Sequence, residues 1–144
     1  MENPSQPERK ETQPVRTNVL AVEDSGPLSR LYQVVFGREG FGRYNTFTSP
    51  QEALKEFTEH SDEYDAIVTD FNMPGMNGGE LIVKAKEIKP NITSILFSSN
   101  TREDLGEEAD MFDLLIDKRD FSVEKAPDIA NQMKQTIEKN QKNR

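Results

Sequence analysis

Apolar residues in this chain come in short runs separated by longer amphipathic stretches, and the two alternate in a regular order. The runs cover Thr17 to Val22, Phe41 to Phe47, Tyr64 to Asp70, Ile92 to Phe97 and Phe112 to Ile116. They are short, and several are rich in β-branched residues, so each reads as a strand. The second is glycine-interrupted and more polar, which an edge position would explain. Between the runs, apolar side chains recur at helical spacing. Leu28, Leu31, Tyr32, Val35 and Phe36 form one stripe, ended by Gly37 and Gly40. Ala53, Leu54 and Phe57 form the next, opened by Ser49 as a cap and Pro50 at the first helical position. Leu81, Ile82, Ala85 and Ile88 form a third over 80–88, and Ile129, Ala130, Met133 and Ile137 a last over 127–139. The stretch 101–109 offers only Leu105 and Ala109 to a core and predicts a short, weak helix. Strand and helix thus alternate five times, which predicts an α/β fold with a parallel sheet covered on both faces.

Composition adjusts this picture at the ends. The 144 residues suffice for one domain with a real core. Yet hydrophobic content is 33% and mean hydropathy −0.79, low for a chain packed throughout. The unpacked part is expected at 1–16, a polar tail carrying Pro4, Pro7 and Pro14, with the domain over 17–140 and a frayed end at 141–144. A net charge of −8 argues against non-specific binding to nucleic acid or to an anionic membrane. The lack of cysteine excludes disulfides and thiolate chemistry, and a single histidine excludes a His-rich metal site. His60 is expected at a helix C-terminus, complementing the dipole. No apolar run approaches the roughly 18 residues of a membrane span, and the start lacks the apolar core of a signal peptide. A cytoplasmic protein is the expectation.

The strand ends carry the chemistry. Glu23 and Asp24 follow the first strand, Asp70 the third, Ser98 the fourth and Lys118 the fifth. In a parallel sheet these lie at one edge, where open α/β sheets keep their sites. Taken singly, each has an ordinary reading: a solvated acid, a helix cap, a turn serine, a surface lysine. Jointly they read better as a site. Three carboxylates in one crevice raise one another's pKa, and a divalent cation relieves that. All-oxygen ligation suits Mg2+. A carboxylate beside Mg2+ and a lysine can attack phosphorus, with the Ser98 hydroxyl and the ammonium stabilising charge on the phosphoryl oxygens. The loop after Asp70 has no spacing of a nucleotide-binding P-loop.

The set Val22-Glu23-Asp24-Ser25, Asp70-Phe71-Asn72-Met73-Pro74-Gly75-Met76-Asn77-Gly78, Ser98 and Lys118 resembles the receiver domain of two-component response regulators. The resemblance spans about residues 17 to 139. It implies a flavodoxin-like (βα)5 fold with strand order 2-1-3-4-5. It implies that Asp70 is the phosphoacceptor, taking phosphate from a histidine kinase or a histidine phosphotransfer protein. It further implies Mg2+ on Asp24, Asp70 and the backbone carbonyl of Asn72, with Glu23 acting mainly through a metal-bound water. Ser98 and Lys118 would contact the phosphoryl group.

The departures fall on the switch region. The family's usual Lys-Pro is here Lys118-Arg119, where a trans bond is expected because cis would cost about 2.5–4 kcal/mol. The aromatic switch position holds Leu115, and Phe112 lies too far back to replace it. Ser99 keeps the usual small residue after Ser98. The resemblance therefore carries the phosphorylation chemistry to this chain, while the departures leave open the usual relay to the fourth-helix, fifth-strand, fifth-helix face. With no residues left for an output domain, a stand-alone signalling domain is expected rather than an enzyme. It would act by partner binding or phosphorelay. The alternatives are a phosphorylation-independent interaction module and a Mg2+-dependent phosphatase; against the last, the first strand ends in adjacent Glu23-Asp24 rather than Asp-x-Asp.

Overall fold

The structure is a computed structural model that describes residues 17–143. The tail expected at 1–16 lies outside the described residues. Five parallel strands form one sheet in the order β2-β1-β3-β4-β5: β1 (Asn18–Val22), β2 (Arg43–Phe47), β3 (Ala66–Thr69), β4 (Thr93–Ser98) and β5 (Leu114–Asp117). The helices are α1 (Gly26–Gly37), α2 (Pro50–His60), α3 (Gly78–Ile88), the single turn α4 (Arg102–Leu105) and α5 (Ala126–Lys142).

Strand periodicity of two explains why both faces can be covered. Val19, Ala21, Ala66, Val68, Ile95, Phe97 and Ile116 point to the α1/α5 layer. Leu20, Val22, Ile67 and Leu96 point to the α2/α3 layer. Fully burying one such side chain contributes about 1.5–3 kcal/mol, so each layer fixes the register of the strands between them. β2 is an edge strand, as its polar pattern implied.

Side chains cap the starts of α1 and α2, Ser49 where the sequence placed it. The Ser25 hydroxyl accepts from the Leu28 N–H (3.3 Å) and Ser49 from Glu52 (3.2 Å). At α3, Asn77 and Glu80 cap each other's backbone reciprocally, so the helix begins at Gly78 rather than Glu80. His60 ends α2, where its ring also meets Glu63 at 3.1 Å.

Some expectations need correction. The helix over 101–109 stops after one turn, because Gly106 takes φ +61° and the chain continues as a 3-10 segment (Gly106–Met111). Leu105 and Ala109 are nevertheless its buried residues. β5 starts at Leu114, not Phe112, which instead packs into the α2/α3 layer. Leu31 and Ile88, expected on core faces, are each 38% exposed. The helix expected to end near Lys139, with fraying from Gln141, runs to Lys142. Its end is tied to the sheet: Asn140 donates to Thr93 Oγ1 (2.8 Å) and Gln141 to Asp65 (3.1 Å). Among the described residues no helix is long and apolar enough to cross a membrane.

Candidate functional site

Backbone pairing sets the site before any side chain acts. The Glu23 N–H donates to Phe47 O (2.9 Å) and the Asp70 N–H to Val22 O (3.2 Å), so both acids leave β1 and β3 at fixed points on neighbouring strands. The loop after Asp70 folds back tightly: Gly78 N donates to Phe71 O (2.7 Å), and Thr69 Oγ1 donates to Asp70 O (2.8 Å). Only glycine fits at position 78, since a Cβ there would stand 2.4 Å from the Asp70 carbonyl oxygen and 3.1 Å from Phe71 Cα.

Lys118 crosses this edge. Its Nζ donates to Glu23 Oε1 at 2.6 Å and to Asp70 Oδ2 at 2.7 Å. Asp70 Oδ1 accepts from the Phe71 N–H (2.7 Å) and Glu23 Oε2 from the Ser25 N–H (3.1 Å). Burial pushes the Lys118 ammonium toward losing its proton, but the hydrogen bonds and charges of Asp70 and Glu23 outweigh this and hold its pKa above the ordinary lysine value. The lysine is therefore charged at neutral pH.

Glu23 is buried, Asp70 half-buried and Asp24 exposed, and one oxygen from each lies within 4.8 Å of the others. Oxygens on one Mg2+ stand about 3 to 4 Å apart, given ligand distances near 2.1 Å. The three carboxylates and one ammonium leave two negative charges, which a divalent cation would neutralise. The donor set is all oxygen, and these three acids fit a Mg2+ ion.

Ser98, buried at the end of β4, donates its hydroxyl to Asn100 Oδ1 (2.7 Å), and the Asn72 amide donates to the same oxygen (3.2 Å). The β3 and β4 loops are thus bridged beside Asp70. Ser99 is exposed. Leu115 packs on the α2/α3 layer. Arg119 clamps Asp117 through its guanidinium (2.7–3.2 Å), holding that carboxyl below its usual pKa by side-chain and backbone hydrogen bonds. Among the described residues every peptide bond is trans, Lys118–Arg119 included.

The structure brings Glu23, Asp24, Asp70, Asn72, Ser98 and Lys118 to one edge; Leu115 packs in the α2/α3 layer and Arg119 bonds to Asp117. Sequence reading missed Phe121. Its ring and those of Tyr32, Phe36 and Phe97 form a cluster under the lysine turn. The only available signal was the presence of those aromatics near strand and helix ends.

Fold and site together define a doubly wound α/β domain with a lysine-bridged acidic centre at its switch-point edge. The chain belongs to the response regulator receiver domain family, whose model matches residues 19–115. A curated relative, the response regulator SaeR of Staphylococcus aureus, is 31% identical over 87 residues, covering 60% of this chain and 36% of the relative. The match thus spans about a third of that relative's length. Among solved structures, a CheY-like receiver domain protein from Methanospirillum hungatei superimposes with TM-score 0.76 at 18% identity, over 90% of this chain and all of its own. A receiver domain protein from Clostridium thermocellum gives 0.75 at 20%, over 87% and 97%. A response regulator protein from Thermotoga maritima, in complex with Mg(2+)-BeF, gives 0.69 at 22%, over 81% and 98%. At these identities the likeness is one of fold.

Proposed function

We propose that this domain accepts a phosphoryl group on Asp70 from a histidine kinase or a histidine phosphotransfer protein in the cytoplasm, and signals by partner binding or by passing the group on. The observation that carries the reading is the Lys118 ammonium held between Asp70 and Glu23, with Asp24 completing the acidic triad. In the forward step an Asp70 carboxylate oxygen attacks phosphorus. The O–P bond forms, the P–N bond of the donor phosphohistidine breaks, and the imidazole leaves with the bond's electron pair. Discharge is attack on phosphorus by water, which releases inorganic phosphate and restores the carboxylate.

Glu23, Asp24, Asp70 and the Asn72 carbonyl would hold Mg2+, which when bound supplies charge neutralisation at the transferred group. Lys118, which already touches Asp70 and Glu23, would exchange its contact with Asp70 for a phosphoryl oxygen while keeping Glu23. Ser98 would turn its hydroxyl from Asn100 to another. The bound Mg(2+)-BeF of the Thermotoga neighbour supports the same chemistry here.

The test is a titration with beryllofluoride and Mg2+ followed by NMR. Saturable, Mg2+-dependent shifts around Asp70 that vanish in Asp70→Asn are expected; no shifts in the wild-type protein would refute the reading. A second reading, an interaction module indifferent to phosphorylation, draws on Leu115 and the one-turn α4. It requires that Asp70→Asn leave partner binding and signalling unchanged.

A further inference from the structure

Lys118 leaves β5 into a short turn. Residues Lys118–Asp120 form a 3-10 turn, capped by Asp117 accepting from Arg119 N (2.9 Å) and closed by Phe121 N donating to Lys118 O (3.1 Å). Phe121 then drops its ring edge-on against Tyr32 of α1, with centroids 5.1 Å apart and planes at 82°. The same Tyr32 ring meets Phe97 at 5.0 Å and 63°, and Phe97 immediately precedes Ser98. Tyr32 is 4% exposed. One buried side chain thus touches both the residue that closes the lysine turn and the neighbour of the site serine.

We infer that Tyr32 is a positioning residue for the phosphoacceptor site, holding the Lys118 ammonium on Asp70 and Glu23 by anchoring Phe121. The inference rests on the phosphoacceptor reading for its consequence, but not for its geometry. With arginine in place of a rigid imino acid after Lys118, the turn is fixed by the Asp117 cap and by Phe121's ring contacts. Edge-to-face aromatic pairs are directional, so an aliphatic side chain of similar bulk does not replace them. The phenol also lies in the field of the site. Burial pushes its pKa up, the Lys118 charge draws it down, and the Glu23 and Asp70 charges push it up again. The anchor sits on the α1/α5 face, opposite Leu115.

The experiment compares Tyr32→Phe, Tyr32→Leu, Phe121→Leu and Phe57→Leu. The last removes a fully buried ring from the other side of the sheet. Two quantities are read at a temperature where each variant is folded: beryllofluoride affinity in excess Mg2+, and the 15N resonance of the Lys118 ammonium without ligand. Tyr32→Phe is expected within about twofold of wild type, because the ring stays. Tyr32→Leu and Phe121→Leu are expected to lose about tenfold or more, the scale of outer-shell changes at metal sites, and to move the ammonium resonance. Phe57→Leu is expected to do neither. Wild-type behaviour in both Tyr32→Leu and Phe121→Leu would overturn the inference. So would an equal loss in Phe57→Leu, or a loss in Tyr32→Phe matching that in Tyr32→Leu. Failure of the wild-type protein to bind beryllofluoride would count against the phosphoacceptor reading alone, since the ammonium resonance still reports on Tyr32.

Discussion

Carboxylates stand at both edges of the sheet, and the two sets do different work. At the strand starts, Asp65 Oδ2 accepts from the Asn18 N–H (2.9 Å) and Asp113 Oδ2 from the Ser94 N–H (2.8 Å). Each precedes one strand and satisfies a backbone donor of the strand beside it, supported from α5 by Gln141 and Asn140. At the strand ends, one oxygen each of Glu23, Asp24 and Asp70 lies within 4.8 Å of the others, and Lys118 bridges Glu23 and Asp70. The first arrangement matches each carboxylate to backbone and amide donors. The second concentrates like charge, which no fold needs for stability. Residue type alone does not separate the two sets; crowding against a single ammonium does.

The sharpest way to break this contrast is at its centre. Asp70→Asn is expected to abolish phosphorylation by acetyl phosphate while leaving the fold intact, read by intact mass and circular dichroism. Lys118→Met should lower the phosphorylation rate by about 10²–10³-fold, the scale of losing one charge-stabilising donor. At the opposite edge the pattern reverses. Asp113→Ala and Asp65→Ala each orphan a backbone N–H and should cost about 1–3 kcal/mol in urea unfolding. The phosphorylation rate per folded molecule should stay near wild type. A large rate loss in either would erase the distinction between the edges.

Gly78→Ala links the two kinds of effect. Its Cβ would meet backbone atoms of the loop that carries Asp70, so stability should fall by about 1–3 kcal/mol, together with a slower phosphorylation rate. The smallest effect is expected from Arg119→Ala. The Asp117 carboxyl is held below its usual pKa by Arg119, so the pairing stabilises above the ordinary carboxylate range. That contribution is lost as pH falls through the depressed value. Urea midpoints of the variant and wild type should differ slightly at neutral pH and converge in acid.

The alternation of apolar runs and helical stripes was enough to read five βα units and a covered parallel sheet. The chemical types at Glu23, Asp24, Asp70, Ser98 and Lys118 marked the edge that matters. Local pattern could not show that Lys118 spans 95 positions to Glu23 and 48 to Asp70, because such contacts leave no period in the sequence. Nor could it separate Asp65 and Asp113 from the site acids. The break at Gly106 shortened α4 because a left-handed turn overrode a run with little apolar surface to hold a helix. Phe121 was missed for a related reason: it lies in a loop, and its partners come from α1 and β4.

The central claim is that Asp70 takes the phosphoryl group. Incubating the protein with acetyl phosphate and Mg2+, then reducing with borohydride and sequencing the peptides by mass spectrometry, tests it most directly. Conversion of Asp70 alone to homoserine, absent without Mg2+, is the expected result. An unmodified Asp70, or modification at another carboxylate, would contradict it.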